Sequence, residues 1–141
     1  MAIHERIAVW LLRLMGAGFV VFGGLFALLP EATLRTVNAW GSWVGIHTEL
    51  PAGEGGLWRA LAVAYMAMVA VLAFWGSVRT AAQRALLSVL VVGKATSALM
   101  ALALYLWERP AFVYLLGSLV DATIALLVAL CIAWLTPKHT L

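Results

Sequence analysis

Four runs of this 141-residue chain, about 7–29, 57–78, 85–107 and 111–135, are apolar almost without interruption. The hydrocarbon core of a bilayer is about 30 Å thick, and roughly 20 apolar residues in helix cross it. Lipid offers no partner to an unpaired backbone group, so helices or closed barrels are the only spanning structures. Apolar character in these runs is continuous rather than alternating, which argues against strands. The expected fold is therefore all-α: an integral membrane four-helix bundle, one domain over 1–141. Composition agrees, since 65% of the residues are hydrophobic and 11% charged, against about 45–50% and about 25% in soluble domains.

The first run could pass for a signal peptide, because "HERIAVWLLR" is basic and "LMGAGFVVFGGLFALL" apolar. Its apolar part is long and no A-x-A site follows, so it reads as a retained span. Charges orient the bundle. The side holding both termini (side A) carries Arg6, Arg13, Arg79, Arg84 and Lys138, opposed by Glu5. The other side (side B) carries Arg35, Arg59 and Arg109 against Glu31, Glu49, Glu54 and Glu108. Five basic residues against three satisfy the positive-inside rule with both termini cytoplasmic, as in a bacterial inner membrane. The basic residues are scattered, which excludes a nucleic-acid footprint.

Tryptophan prefers the headgroup level, with its ring in lipid and its N–H in water. Trp10, Trp75 and Trp134 fall near side A, and Trp58 and Trp107 near side B. The loop over residues 30–56 divides in two. In "PEATLRTVNAWGSWVG", Pro30 and Glu31 suit a first helical turn. Leu34, Val37, Gly41 and Val44 then recur at helical spacing beside Trp40 and Trp43. This predicts a short interfacial helix over about 31–45, and "HTELPAGEGG" reads as its flexible return.

Small residues let helices approach closely in lipid. Gly16, Gly23 and Gly24 on helix 1, Gly93 with Ser97 and Ala101 on helix 3, and Gly117 with Ser118 and Ala122 on helix 4 are candidate packing positions. The single cysteine, Cys131, lies in an apolar run and reads as a small buried side chain.

Two ionisable residues fall at membrane depth, Lys94 and Asp121. Each charge costs about 2.5–3.5 kcal/mol at the centre of an inserting helix. Helices 3 and 4 are joined by a short turn at Glu108, Arg109 and Pro110, so they should be antiparallel neighbours. At about 1.5 Å rise per residue, the depths of Lys94 and Asp121 differ by about 4–5 Å, within reach of a lysine. The expectation is a buried Lys94–Asp121 ion pair. Ser97 and Tyr105 share the lysine's stripe, and Tyr114 and Ser118 the aspartate's. They would form a polar seam opening toward side B, which Tyr65 could join from helix 2. The pair could lock helix register, or the seam could bind a polar headgroup, a quinone ring or a proton.

His4, His47 and His139 all lie outside the spans, so haem ligation inside the bundle is not expected. The chain carries no P-loop, dinucleotide or zincin motif. No catalytic residue, metal site or bound cofactor is expected, a lipid or quinone being the ligand such a seam would take.

The order of "RLMGAGFVVFGGLFALLP" (13–30), an outer loop, "GGLWRALAVAYMAMVAVLAF" (55–74) and two further helices resembles the DoxX-like small four-helix membrane proteins. The namesake family is associated with quinone-linked oxidation of sulfur compounds, so the resemblance implies at most a membrane subunit of an oxidoreductase. The functional expectation is a non-catalytic small subunit or accessory of a larger membrane complex, docking through helix 1 and the interfacial helix onto other subunits or a second copy. The alternatives are a lipid- or quinone-binding protein using the seam, and an oligomeric proton- or solute-conducting protein.

Overall fold

The computed structural model describes residues 3–48, 56–78 and 82–135, with the side chains of 56–58 outside the description. Five helices follow one another: α1 (Ile3–Leu28), α2 (Pro30–Trp43), α3 (Gly56–Gly76), α4 (Gln83–Trp107) and α5 (Phe112–Leu135). Among the described residues there is no strand. Four helices are long and apolar enough to cross a membrane: α1, α4, α5 and the Arg59–Gly76 part of α3. The chain is an integral membrane helix bundle.

Most helix ends lie within two residues of the sequence expectation. The exception is the start of α1, at Ile3 rather than residue 7. His4, Glu5 and Arg6 simply extend the helix, and a hydropathy reading cannot see a polar first turn. The break between α1 and α2 has a local cause. A residue before proline is pushed out of the helical region, and Leu29 adopts φ −131° and ψ 53° ahead of Pro30. Hydrogen bonds still cross the break, from Leu29 N to Leu25 O at 2.7 Å and from Thr33 N to Leu29 O at 3.0 Å. α2 closes on Gly45, whose φ of +82° favours glycine. Ile46 N donates to Gly41 O at 2.9 Å and Gly45 N to Ser42 O at 3.2 Å, the double bond of a Schellman ending.

The long helices pack in a ring in chain order, α1 on α3, α3 on α4, α4 on α5, and α5 back on α1, with α2 seated on α5 and α1. Two seats are closer than the sequence suggested. A Cβ on Gly41 would lie 2.6 Å from Cβ of Phe112, so α2 meets α5 at a position only glycine permits. A Cβ on Gly76 would run into the Leu87 side chain. Gly16 faces Phe74 and Gly23 faces Met66, both as expected of α1 packing. Gly24 corrects the expectation: nothing lies within 4 Å of a Cβ built there. It falls one helical step, about 100°, from Gly23, which turns it off the buried face.

The core is asymmetric along the membrane normal. An aliphatic plug takes two residues from each long helix: Ala8 and Leu12, Val69 and Ala73, Leu87 and Leu90, Val128 and Cys131. All are at most 1% exposed, and all lie in the side A half. Toward side B, α3 contributes no buried residue over 59–64. There α2 covers part of the bundle with Leu34, Val37 and Gly41, while Val44, beyond the helix end, is exposed.

The tryptophans lie mostly on the outside of the bundle. Trp10, Trp40, Trp43, Trp75 and Trp107 are exposed on the bundle surface, and Arg13 lies over the Trp10 ring. Trp134 is a partial correction, since it is half-buried against the aliphatic plug. The Trp58 side chain lies outside the described residues, as do Arg79, Lys138, His139 and the loop residues 49–55.

Candidate functional site

Lys94 is the largest fully buried side chain among the described residues, at 2% exposure. A lysine at mid-bundle is tolerable only if its charge is met, and all three other long helices supply something to meet it. α5 brings the Asp121 carboxylate, whose Oδ1 accepts from Lys94 Nζ at 2.7 Å. α1 brings the Phe19 ring, its centroid 4.2 Å from the ammonium. α3 brings the Tyr65 ring at 4.9 Å. An ammonium over an aromatic face is attracted by the ring quadrupole, by about 2 kcal/mol when desolvated. Lys94 thus reaches across the ring of helices to α1, on the far side from α4.

The ion pair required two depth positions to match, and the sequence supplied both. Phe19 was not singled out: one phenylalanine among many apolar residues carries no signal, and the diagonal reach of Lys94 depends on the packed ring. Its position on the buried stripe of α1, three residues after Gly16 and four before Gly23, is the hint that could have found it.

The polar seam is only partly assembled. Ser118 is buried and Ser97 half-buried. Tyr65 Oη lies over Gly93, 3.7 Å from where a Cβ would stand, and Ser97 and Asp121 are its polar neighbours. The Ser97 hydroxyl interacts with it, but the buried Oη makes no hydrogen bond of normal geometry. Tyr105 and Tyr114 are half-buried farther toward side B. They lie 11 and 7 residues from Lys94 and Asp121, about 16 and 10 Å along their helices, too far to touch the pair. Gly117 stands against Ala101, whose Cβ would be 4.0 Å from an added methyl, as close packing of α4 on α5 requires.

Among the described residues no three metal-binding side chains cluster. Neither Lys94 nor Asp121 lines the described grooves of about 470, 310 and 200 Å³, which lie on the outer face of α4, at the α1–α2 corner and between α1 and α5. Chemically the centre is a neutralised charge with one buried hydroxyl left over. Compared with protein-family models, curated proteins and solved structures, the chain matches none.

Proposed function

We propose that the protein is a small accessory subunit of a larger inner-membrane assembly, both termini cytoplasmic, with the Lys94–Asp121 centre serving to hold its helices in register. The DoxX-like resemblance and the excess of basic residues on side A support this reading. The observation that carries it is the division of labour along the chain. The buried charge is consumed internally by Asp121, Phe19 and Tyr65. α2, in contrast, is seated through Leu34, Val37 and Gly41 and turns Glu31, Arg35, Trp40 and Trp43 outward. Tryptophan and arginine are the residues that most often anchor protein interfaces. A lipid or quinone acting at the centre would have to displace Phe19 or Tyr65 from the ammonium, which disfavours that reading.

Photo-crosslinkers placed at Trp40 and Trp43 in native membranes test the docking reading, with Leu126 on the lipid-facing side of α5 as control. The expected result is one membrane-protein adduct from the α2 positions, absent from Leu126 and retained on purification in mild detergent. Trp43→Ala should lose that partner while the bundle still folds. A stable monomer that co-purifies with nothing, and lipid adducts alone from α2, would overturn it.

A further inference from the structure

We propose that water reaches the Lys94–Asp121 centre from side B alone, and that an internal hydration site lies against the Tyr65 hydroxyl, between Ser97 and Asp121. The inference is independent of the docking reading. Its first support is the stranded hydroxyl. Tyr65 Oη is buried with no hydrogen bond of normal geometry, and a buried polar group left unsatisfied is costly. Buried waters typically bridge two to four such groups, and three are present here. Tyr65 Oη can donate, and Ser97 Oγ lies near it. Asp121 uses Oδ1 on Lys94, and a carboxylate has a second acceptor oxygen in Oδ2. Gly93 leaves the side of the hydroxyl without a side chain, since a Cβ there would stand 3.7 Å from it.

Direction follows from the asymmetric core. The aliphatic plug lies on the side A side of all four centre residues, at most 1% exposed on every helix. Its side chains are aliphatic except for Cys131, whose thiol is taken up by Ala8 O. Toward side B the α4–α5 face continues as Ser97, Ala101 and Tyr105 opposite Tyr114, Gly117 and Ser118, small or hydroxyl-bearing positions. α3 has no fully buried residue there over 59–64, Ala62 and Val63 being half-buried, and the buried apolar residues on that side are Phe26, Ala98 and Ala111 with Leu34 and Val37 of α2. Asp121 is 14% exposed against 2% for Lys94, so the aspartate is the more accessible member of the pair. Entry past these positions, with the plug closing side A, would hydrate the centre without conducting across the membrane.

Hydroxyl-radical footprinting of the wild-type protein in lipid nanodiscs, with oxygen-18 water, reads this directly. With each rate divided by the intrinsic reactivity of its residue type, Tyr65 should take up label several-fold faster than Leu12 and Leu87 of the plug. Ser97→Cys and Leu90→Cys, each in a Cys131→Ala background, give the direction with an impermeant thiol reagent in sealed vesicles. Ser97→Cys should react from side B only, and Leu90→Cys from neither side. Equal labelling of Tyr65 and the plug leucines, or reaction of Ser97→Cys from side A, would overturn the proposal. Should Ser97→Cys fail to fold, Ser118→Cys in the same background, also toward side B of the plug, gives the direction instead.

Discussion

Replacing Lys94 by methionine removes the ammonium while keeping most of its stem, and leaves Asp121 buried without its cation. At 2.7 Å, with an effective dielectric of about 20, the pair's attraction is about 6 kcal/mol. Desolvating two ions costs several kcal/mol each, so the net worth of the pair over an apolar one is near zero. Losing one partner is different, because the desolvation cost of the other remains. The expected loss for Lys94→Met is about 3–5 kcal/mol, to which the lost ring contacts of Phe19 and Tyr65 add. Lys94→Met with Asp121→Leu should recover most of it, giving a coupling energy of about 2 kcal/mol or more between the sites. Reversible unfolding in mixed micelles, followed by tryptophan fluorescence, measures all four corners of the cycle. Loss of less than about 1 kcal/mol in the single variant, or strict additivity in the double, would refute the register-lock argument.

Glycine positions give a sharper contrast than their sequence spacing implies. Gly41→Ala places a methyl 2.6 Å from Phe112 Cβ and 3.0 Å from Ile46 O. It should cost about 1–3 kcal/mol and expose the α2 loop to protease. Gly24→Ala meets nothing within 4 Å and should be neutral or add up to about 1 kcal/mol of helix propensity. Equal effects in a thermal-unfolding assay would contradict the packing described. Cys131, at 1% exposure with its Sγ near Ala8 O, should resist maleimide in folded micelles and react fully once denatured; rapid labelling of the native protein would show that the plug is loose.

Legibility differed with the physical origin of each feature. The spans were readable because bilayer thickness imposes a length and lipid imposes a composition. α2 was readable from Pro30 and the Leu34–Val37–Gly41 stripe, since local geometry sets both. Lys94 and Asp121 could be paired because a short turn and a fixed rise convert residue number into depth. Phe19 and the seats of Gly41 and Gly76 were not readable, because each depends on which partner stands opposite once the ring has closed. Gly24 misled for the same reason: it shares composition with Gly23 but not direction. The tyrosine seam was half right, as stripe membership put Tyr105 and Tyr114 on the correct face at the wrong depth to touch the pair.

The 27 residues separating Lys94 from Asp121 also bear on how the protein enters the membrane. A ribosome delivers α4 before α5 exists, so the lysine arrives in the translocon without its counter-ion. For that interval α4 carries a cost of about 2.5–3.5 kcal/mol, relieved only when Asp121 emerges. The turn over residues 108–111 is short enough for the two helices to leave sideways as one hairpin with the charges already joined. The residue that organises the finished bundle would thereby favour insertion of α4 and α5 together over insertion of α4 alone.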